Sequence, residues 1–161
     1  MKDLKRTSFL TKSAVIAAIY VVLTLFSALF GLSGGMIQLR LSEALTVLPI
    51  FTNAAVPGLF IGCIISNLIT GCAFWDTVFG SAATLIGAIG TYYLRKKSIF
   101  IAQLPPVISN MLIVPFILRF VYGAEGSLPF FVLTVGAGEF ICCELLGVFL
   151  GKSLKKHKIE F

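Results

Sequence analysis

GGMIQLRLSEAL, residues 34–45, brings Gln38, Arg40 and Glu43 close together between two apolar stretches. The Gly34-Gly35 pair before them forms a hinge, and an apolar run follows. In water this would be an ordinary solvated loop. In lipid the same three side chains need partners, so the solvent decides the reading. Of 161 residues, 58% are hydrophobic and 12% are charged, and the mean hydropathy is +1.00. A soluble domain carries roughly 25% charged residues, and this chain has too few to cover a water-facing exterior. A bilayer-spanning helix needs about 20 apolar residues. The expectation is an all-α integral membrane protein of six transmembrane helices, with 1–161 as a single transmembrane domain.

The first apolar run, Ala14 to about Leu32, exceeds the 7–15 residues of a signal-peptide core, so it reads as a retained helix. Six helices are expected near 12–32, 42–52, 56–72, 77–94, 104–121 and 128–151. Pro57 suits the first position of a new helix. Pro105-Pro106 predicts the start of the fifth helix, with 98–104 lying along the interface, and Pro115 predicts a kink within it. The second helix is too short to cross a bilayer alone and must tilt, thin the membrane or join the preceding loop.

Basic residues set the orientation. Lys2, Lys5, Arg6 and Lys12 precede the first helix, Arg95-Lys96-Lys97 follow the fourth, and Lys152, Lys155, Lys156 and Lys158 follow the sixth. Six spans put all three clusters on one face, leaving Arg40 and Arg119 for the other. The positive-inside rule then makes both termini cytoplasmic. The pI near 9.3 reflects this topology and gives no reason to expect nucleic-acid binding.

The outer face collects Gln38, Arg40, Glu43 and Asp76. Asn67, Asn110 and Glu139 lie within the membrane, where an ionisable group costs about 2.5–3.5 kcal/mol on insertion scales and faces a partner or cavity. Together they predict a polar pocket opening outward. Bland roles stand beside that one: an i,i+3 surface pair for Arg40 and Glu43, interhelical hydrogen bonding for the asparagines, a helix cap for Asp76. Glu144, five positions after Glu139, is rotated by about 140° on an α-helix and belongs to a different face. Cys63, Cys72, Cys142 and Cys143 lack zinc-site spacing and read as small packing residues, so no metal is expected.

Gly58, Gly62 and Ser66, and again Gly147 and Gly151, recur at four-residue spacing that lets helix backbones approach closely. Ala14, Ala17 and Ala18 form a small-residue patch suited either to internal packing or to docking a partner. His157 is the sole histidine. No HExxH, GxSxG or GxxxxGK[ST] motif occurs, which argues against an enzyme and leaves the chain no means of hydrolysing ATP itself.

IQLRLSEALTVLP (37–49), VPGLFIGCIISNLITG (56–71), WDTVFGSAATL (75–85) and VGAGEF (135–140) carry a resemblance to the queuosine-precursor transporter (QueT) family. Its members are substrate-binding S components of energy-coupling factor transporters, and the resemblance extends over essentially the whole chain. It implies a site on the outer face closed by the loop after the first helix, and a 7-deazaguanine substrate. It also implies a transmembrane coupling protein and two ATPase subunits as partners, ATP being used only by the latter. The alanine patch resembles the surface that docks the coupling protein, and the expected location is the plasma membrane of a prokaryote. Gln38, Arg40 and Glu43 would then be polar because they face a polar ligand. The rival readings are an S component for another heterocyclic vitamin, a stand-alone proton-coupled carrier using Glu139, and a small membrane enzyme using Asp and Glu.

Overall fold

The computed structural model describes residues 2–32 and 38–157, the side chains of Lys2 and Asp3 aside; the Gly34-Gly35 hinge and Lys158 lie outside them. The described residues form six helices and no strand: helix 1 (Lys2–Leu29), helix 2 (Leu41–Ile50), helix 3 (Ala55–Ile69), helix 4 (Phe74–Leu94), helix 5 (Ile99–Phe120) and helix 6 (Leu128–Lys156). Four of them, helices 1, 4, 5 and 6, are long and apolar enough to cross a membrane. Helices 2 and 3 are shorter apolar segments.

Helix 2 is a 3-10 helix of ten residues, roughly 20 Å long at a rise of about 2 Å per residue, against a hydrocarbon core of about 30 Å. Ser42 through Pro49 are all buried, because the helix sits inside the bundle. It touches helices 1, 3, 4, 5 and 6. The core gathers around it, with Val47, Leu48 and Leu45 packed among Ile16, Tyr20, Leu59 and Ala88.

Close helix contacts follow the glycines. A Cβ on Gly58 would lie 2.8 Å from the Ser13 carbonyl oxygen, and one on Gly62 would lie 2.8 Å from Tyr20 Cβ. Helix 3 therefore lies directly against helix 1, and the expected small-residue seam is present. Ala17 is part of it, since its carbonyl oxygen would be 3.0 Å from a Gly62 Cβ. Gly147 meets Gln103 and the Ala44 carbonyl, and Gly151 meets Val47 and Ile99.

Two expectations are corrected. Helix 1 begins at Lys2 rather than near 12, so its first turns carry the basic cluster as helix. Helix 5 begins at Ile99, where the Ser98 hydroxyl accepts from Ile101 N–H at 3.3 Å, and not at Pro105-Pro106. Both prolines sit inside it because they fill space that glycines leave open on helix 4. A Cβ on Gly87 would lie 2.7 Å from Pro106 Cα, and one on Gly90 would lie 2.4 Å from Pro105 Cβ. That packing outweighs the lost backbone hydrogen bonds. Pro115 lies within the same helix.

Gly62→Leu is expected to destabilise the fold by about 1–3 kcal/mol, the usual range for overpacking, because helices 1 and 3 must separate. The apparent Tm of the purified protein should fall, whereas Ile61→Leu, on an exposed position, should leave it unchanged. Equal melting of the two variants would contradict the close seam.

Candidate functional site

A cavity of about 300 Å³ opens between helices 1, 3, 4 and 5 and the segment leading into helix 2. Gln38, Arg40, Asn67 and Asp76 line it, along with Thr24, Thr70, Cys72 and Tyr122. Four of the seven expected site residues are thus brought together at one opening. Helix 3 ends at Ile69 with Thr70 as its C-cap, and Gly71 at φ +72° lets the Cys72 N–H return to the Asn67 carbonyl at 2.9 Å, a left-handed helix ending that glycine adopts without strain. The turn carries Cys72 to the rim.

Asp76 lies in the first turn of helix 4 but does not cap it, because Ala73 is the cap residue. One carboxylate oxygen accepts from the Tyr122 hydroxyl at 2.7 Å, and that hydroxyl in turn accepts from Ala73 N–H at 3.1 Å. A Cβ on Gly80 would lie 3.2 Å from Asp76 Oδ1 and 3.6 Å from Asn67 Nδ2. The missing side chain leaves the space between these two polar groups open. Burial, and then the hydrogen bond to Asp76, raise the Tyr122 phenol above its ordinary range, so it is a neutral donor at any ordinary pH. Burial works against the charge on Arg40, but neighbouring groups led by Asp76 and including Glu43 outweigh it and raise its pKa. Arg40 stays cationic.

Glu43, Asn110 and Glu139 form a second, deeper tier. Glu43 is 2% exposed and Glu139 8%, so the alternative reading of Arg40 and Glu43 as a surface pair is not what the fold uses. The Tyr20 hydroxyl donates to Glu43 Oε1, while Glu43 Oε2 is buried without a hydrogen-bond partner. Cys143 Sγ lies 3.3 Å from Glu139 Oε2 and 3.6 Å from the Glu43 carbonyl oxygen, and the Asn110 side chain reaches the Glu139 carboxylate. Arg40 acts electrostatically on both acids and so links the tiers.

Residues 140–147 of helix 6 are π-helical, a local form found frequently at functional sites. At its end Val148 N–H bonds to the Glu144 and Leu145 carbonyls, and the Cys143 carbonyl accepts from Gln103 Nε2 at 3.2 Å. Thr46 Oγ1 lies 3.1 Å from Gln103 Oε1 and 2.6 Å from the Glu43 carbonyl oxygen. This network ties helices 2, 5 and 6 beneath the acids. The rotation of about 140° between Glu139 and Glu144 applies to an α-helix, and the π turn widens the helix between them. Glu144 still stands apart from the cluster. Both its oxygens are buried without a partner, and no neighbouring charge acts on it.

Asp76, Glu43 and Glu139 thus all interact electrostatically with one cation, Arg40. Such a site accepts hydrogen-bond donors and positive charge. The ligand atoms of Glu43, Glu139 and Cys143 also lie within 4.8 Å of one another, so Cys143 does more than fill space.

Residues 10–156 match the family model described as QueT transporter. The chain belongs to the QueT transporter family. It is 37% identical over 73 residues to "Queuosine precursor transporter QueT" of Lactococcus lactis subsp. cremoris (strain MG1363), a stretch covering 45% of this chain and 43% of that protein. The match thus spans less than half the length of that relative. No solved structure matches. As a member of a transporter family with several long apolar helices, the chain is a multi-pass membrane protein.

Tyr20, Gln103, Gly80 and Tyr122 were not among the expected site residues. A signal existed for Tyr20, because a hydroxyl in the middle of an apolar helix requires a hydrogen-bond partner. Tyr20→Phe keeps the ring and removes the donor to Glu43. It should lower stability by about 1.5–3 kcal/mol, the range for hydrogen bonds to charged groups, read as a fall in apparent Tm. An unchanged Tm would show that Glu43 does not depend on this hydroxyl.

Proposed function

We propose that this chain is the substrate-binding S component of an energy-coupling factor importer and captures a 7-deazaguanine queuosine precursor at the outer face. The observation that carries the reading is the two-tier site, an open polar cavity above paired buried carboxylates. Its volume, about 300 Å³, falls at the lower end of small-molecule pockets, as a compact heterocycle requires. The name of the Lactococcus relative points to the same substrate class.

A deazaguanine offers a ring N–H and an amino group on one edge, beside a carbonyl. A carboxylate takes both donors in bidentate fashion, the stronger class of hydrogen bond. Glu139, supported by Asn110, takes that edge, with Glu43 beside it. Arg40 or Gln38 serves the carbonyl. An aminomethyl substituent carries a cation, which Asp76 neutralises while Tyr122 holds its carboxylate in place. Asn67 completes the wall between the tiers.

In this reading all six helices belong to the membrane domain, helix 2 buried within it, and both termini are cytoplasmic by their basic clusters. The membrane is the plasma membrane of a prokaryote. Energy comes from a transmembrane coupling protein and two ATPase subunits. Ala14 and Ala18 are exposed on helix 1 and form the docking face, while Ala17 is turned inward against Gly62.

The buried Glu43 and Glu139 pair favours one competing reading, a stand-alone proton-coupled carrier. Uptake that needs ATP and the coupling protein, and survives a proton uncoupler, supports the S-component reading. Uptake by this chain alone that collapses with the uncoupler supports the carrier.

Glu139→Gln should weaken deazaguanine binding by roughly tenfold or more, since the amide keeps the shape but supplies one acceptor. Glu144→Gln should change it far less. Titration calorimetry on the purified protein measures both, and an unchanged affinity in folded Glu139→Gln would remove Glu139 from the site.

Ala18→Trp on the exposed face of helix 1 should abolish uptake while leaving binding by the isolated chain intact. Loss of binding in that variant would instead mean that Ala18 serves internal packing.

A further inference from the structure

A second cavity lies at the far end of helix 1 from the candidate site. It measures about 450 Å³ and is lined by Lys5, Ser8 and Lys12 of helix 1, with Thr52 and Asn53 of the turn before helix 3. Among the described residues no acid lines it and neither lysine is ion-paired. Its wall is fixed. The Ser13 hydroxyl lies 2.9 Å from the Ala54 carbonyl oxygen and 3.0 Å from that of Phe9, tying the turn to helix 1.

Lys12 also borders a groove of about 290 Å³ formed by helices 1, 2 and 6. Val15 and Ile19, Leu45 and Leu48, and Leu150 and Leu154 form its walls, and it is apolar beyond its Thr11 and Lys12 end. Lys5, Ser8, Lys12, Val15 and Ile19 recur at spacings of three and four, which puts them on one face of helix 1. Cavity and groove are thus two parts of one stripe, cationic at the helix terminus and apolar toward its middle. Along a membrane-spanning helix that order runs from headgroup level into hydrocarbon.

We propose that this stripe binds one anionic phospholipid, its phosphate between Lys5 and Lys12 and one acyl chain along the groove between helices 1, 2 and 6. Charge complementarity selects the headgroup. Two ammonium groups with Ser8 and Asn53 beside them match a phosphodiester, and they favour one whose negative charge is not offset by a cation within the same headgroup. The continuous apolar channel selects a lipid over a free anion, because phosphate alone gains nothing from it. The exposed Ala14 and Ala18 lie on a different face of helix 1, so the lipid and a docked partner do not compete for that patch. The site is independent of the ligand cavity and of the family's substrate.

Native mass spectrometry of the purified chain, titrated with dioleoyl phosphatidylglycerol and separately with dioleoyl phosphatidylcholine, tests this directly. The phosphatidylglycerol adduct should dominate. Lys5→Gln and Lys12→Gln should each weaken it roughly fivefold, the effect of one basic residue near a membrane surface. Leu150→Trp, which fills the groove, should weaken it with both lysines present. Inorganic phosphate and glycerol 3-phosphate, added without lipid, should give no stable adduct. Equal retention of the two lipids, or phosphatidylglycerol binding indifferent to the lysine variants, would overturn the headgroup site. A full adduct with phosphate alone would reduce the stripe to an ion site. Absence of any lipid adduct would leave the groove to a helix of a partner protein and reject the proposal. Unchanged circular dichroism of the three variants distinguishes lost binding from lost fold.

Discussion

Glu43 is an acid on a ten-residue helix at the centre of a membrane protein, and the rest of the architecture follows from keeping it there. Hydrocarbon offers no water to satisfy polar groups, so every one at that depth needs a protein partner or a cavity. Helix 1 supplies the Tyr20 hydroxyl, helix 6 brings Cys143 and Glu139, and helix 5 contributes Gln103 and Asn110. The glycine seam of helix 3 is what allows helix 1 to come close enough for Tyr20 to reach inward. Without Gly58 and Gly62 the two backbones could not meet.

Two departures from regular α-helix concentrate on the same place. A 3-10 run longer than a few residues is uncommon, yet helix 2 sustains one for ten. Helix 6 does the opposite and widens into π geometry for eight. The tight helix sits opposite the wide one, and Thr46 and Gln103 bridge them through the Cys143 carbonyl. Side chains thereby take over hydrogen bonding that regular backbone would otherwise supply, which is how broken helices persist in membranes. Glu144 marks where this compensation stops, its two oxygens buried and unpartnered.

The sequence carried the membrane class, the six helices and the four polar residues that line the cavity, because hydropathy and rare intramembrane polarity are one-dimensional signals. Gly58 and Gly62 announced close packing by their spacing, and the structure puts that packing where the spacing implied. Pro105-Pro106 misled. Proline propensity is local, whereas the glycines that accommodate these two rings lie on helix 4, at Gly87 and Gly90. The π segment between Glu139 and Glu144 was illegible for a related reason, since no sequence pattern here distinguishes π from α geometry. The division of seven candidate residues into two tiers was also invisible. Asn67 and Glu139 both read as polar residues within the membrane, but only the packing shows that one lines the cavity and the other lies beside Glu43.

That division has a consequence for selectivity. The outer tier is wide, partly exposed and held open by Gly80, with Asp76 fixed by Tyr122 and balanced by Arg40. The inner tier is buried and acceptor-rich, with one carboxylate oxygen of Glu43 left without a partner among the described residues. An unpaired acceptor in a dry site penalises any ligand that fails to supply a donor, because the group then remains desolvated without compensation. The outer tier cannot discriminate as sharply, since water satisfies whatever the ligand leaves free. In the proposed binding mode, variation in a ligand's substituents is tolerated at the mouth, while the pattern of donors on its buried edge is read strictly at the floor.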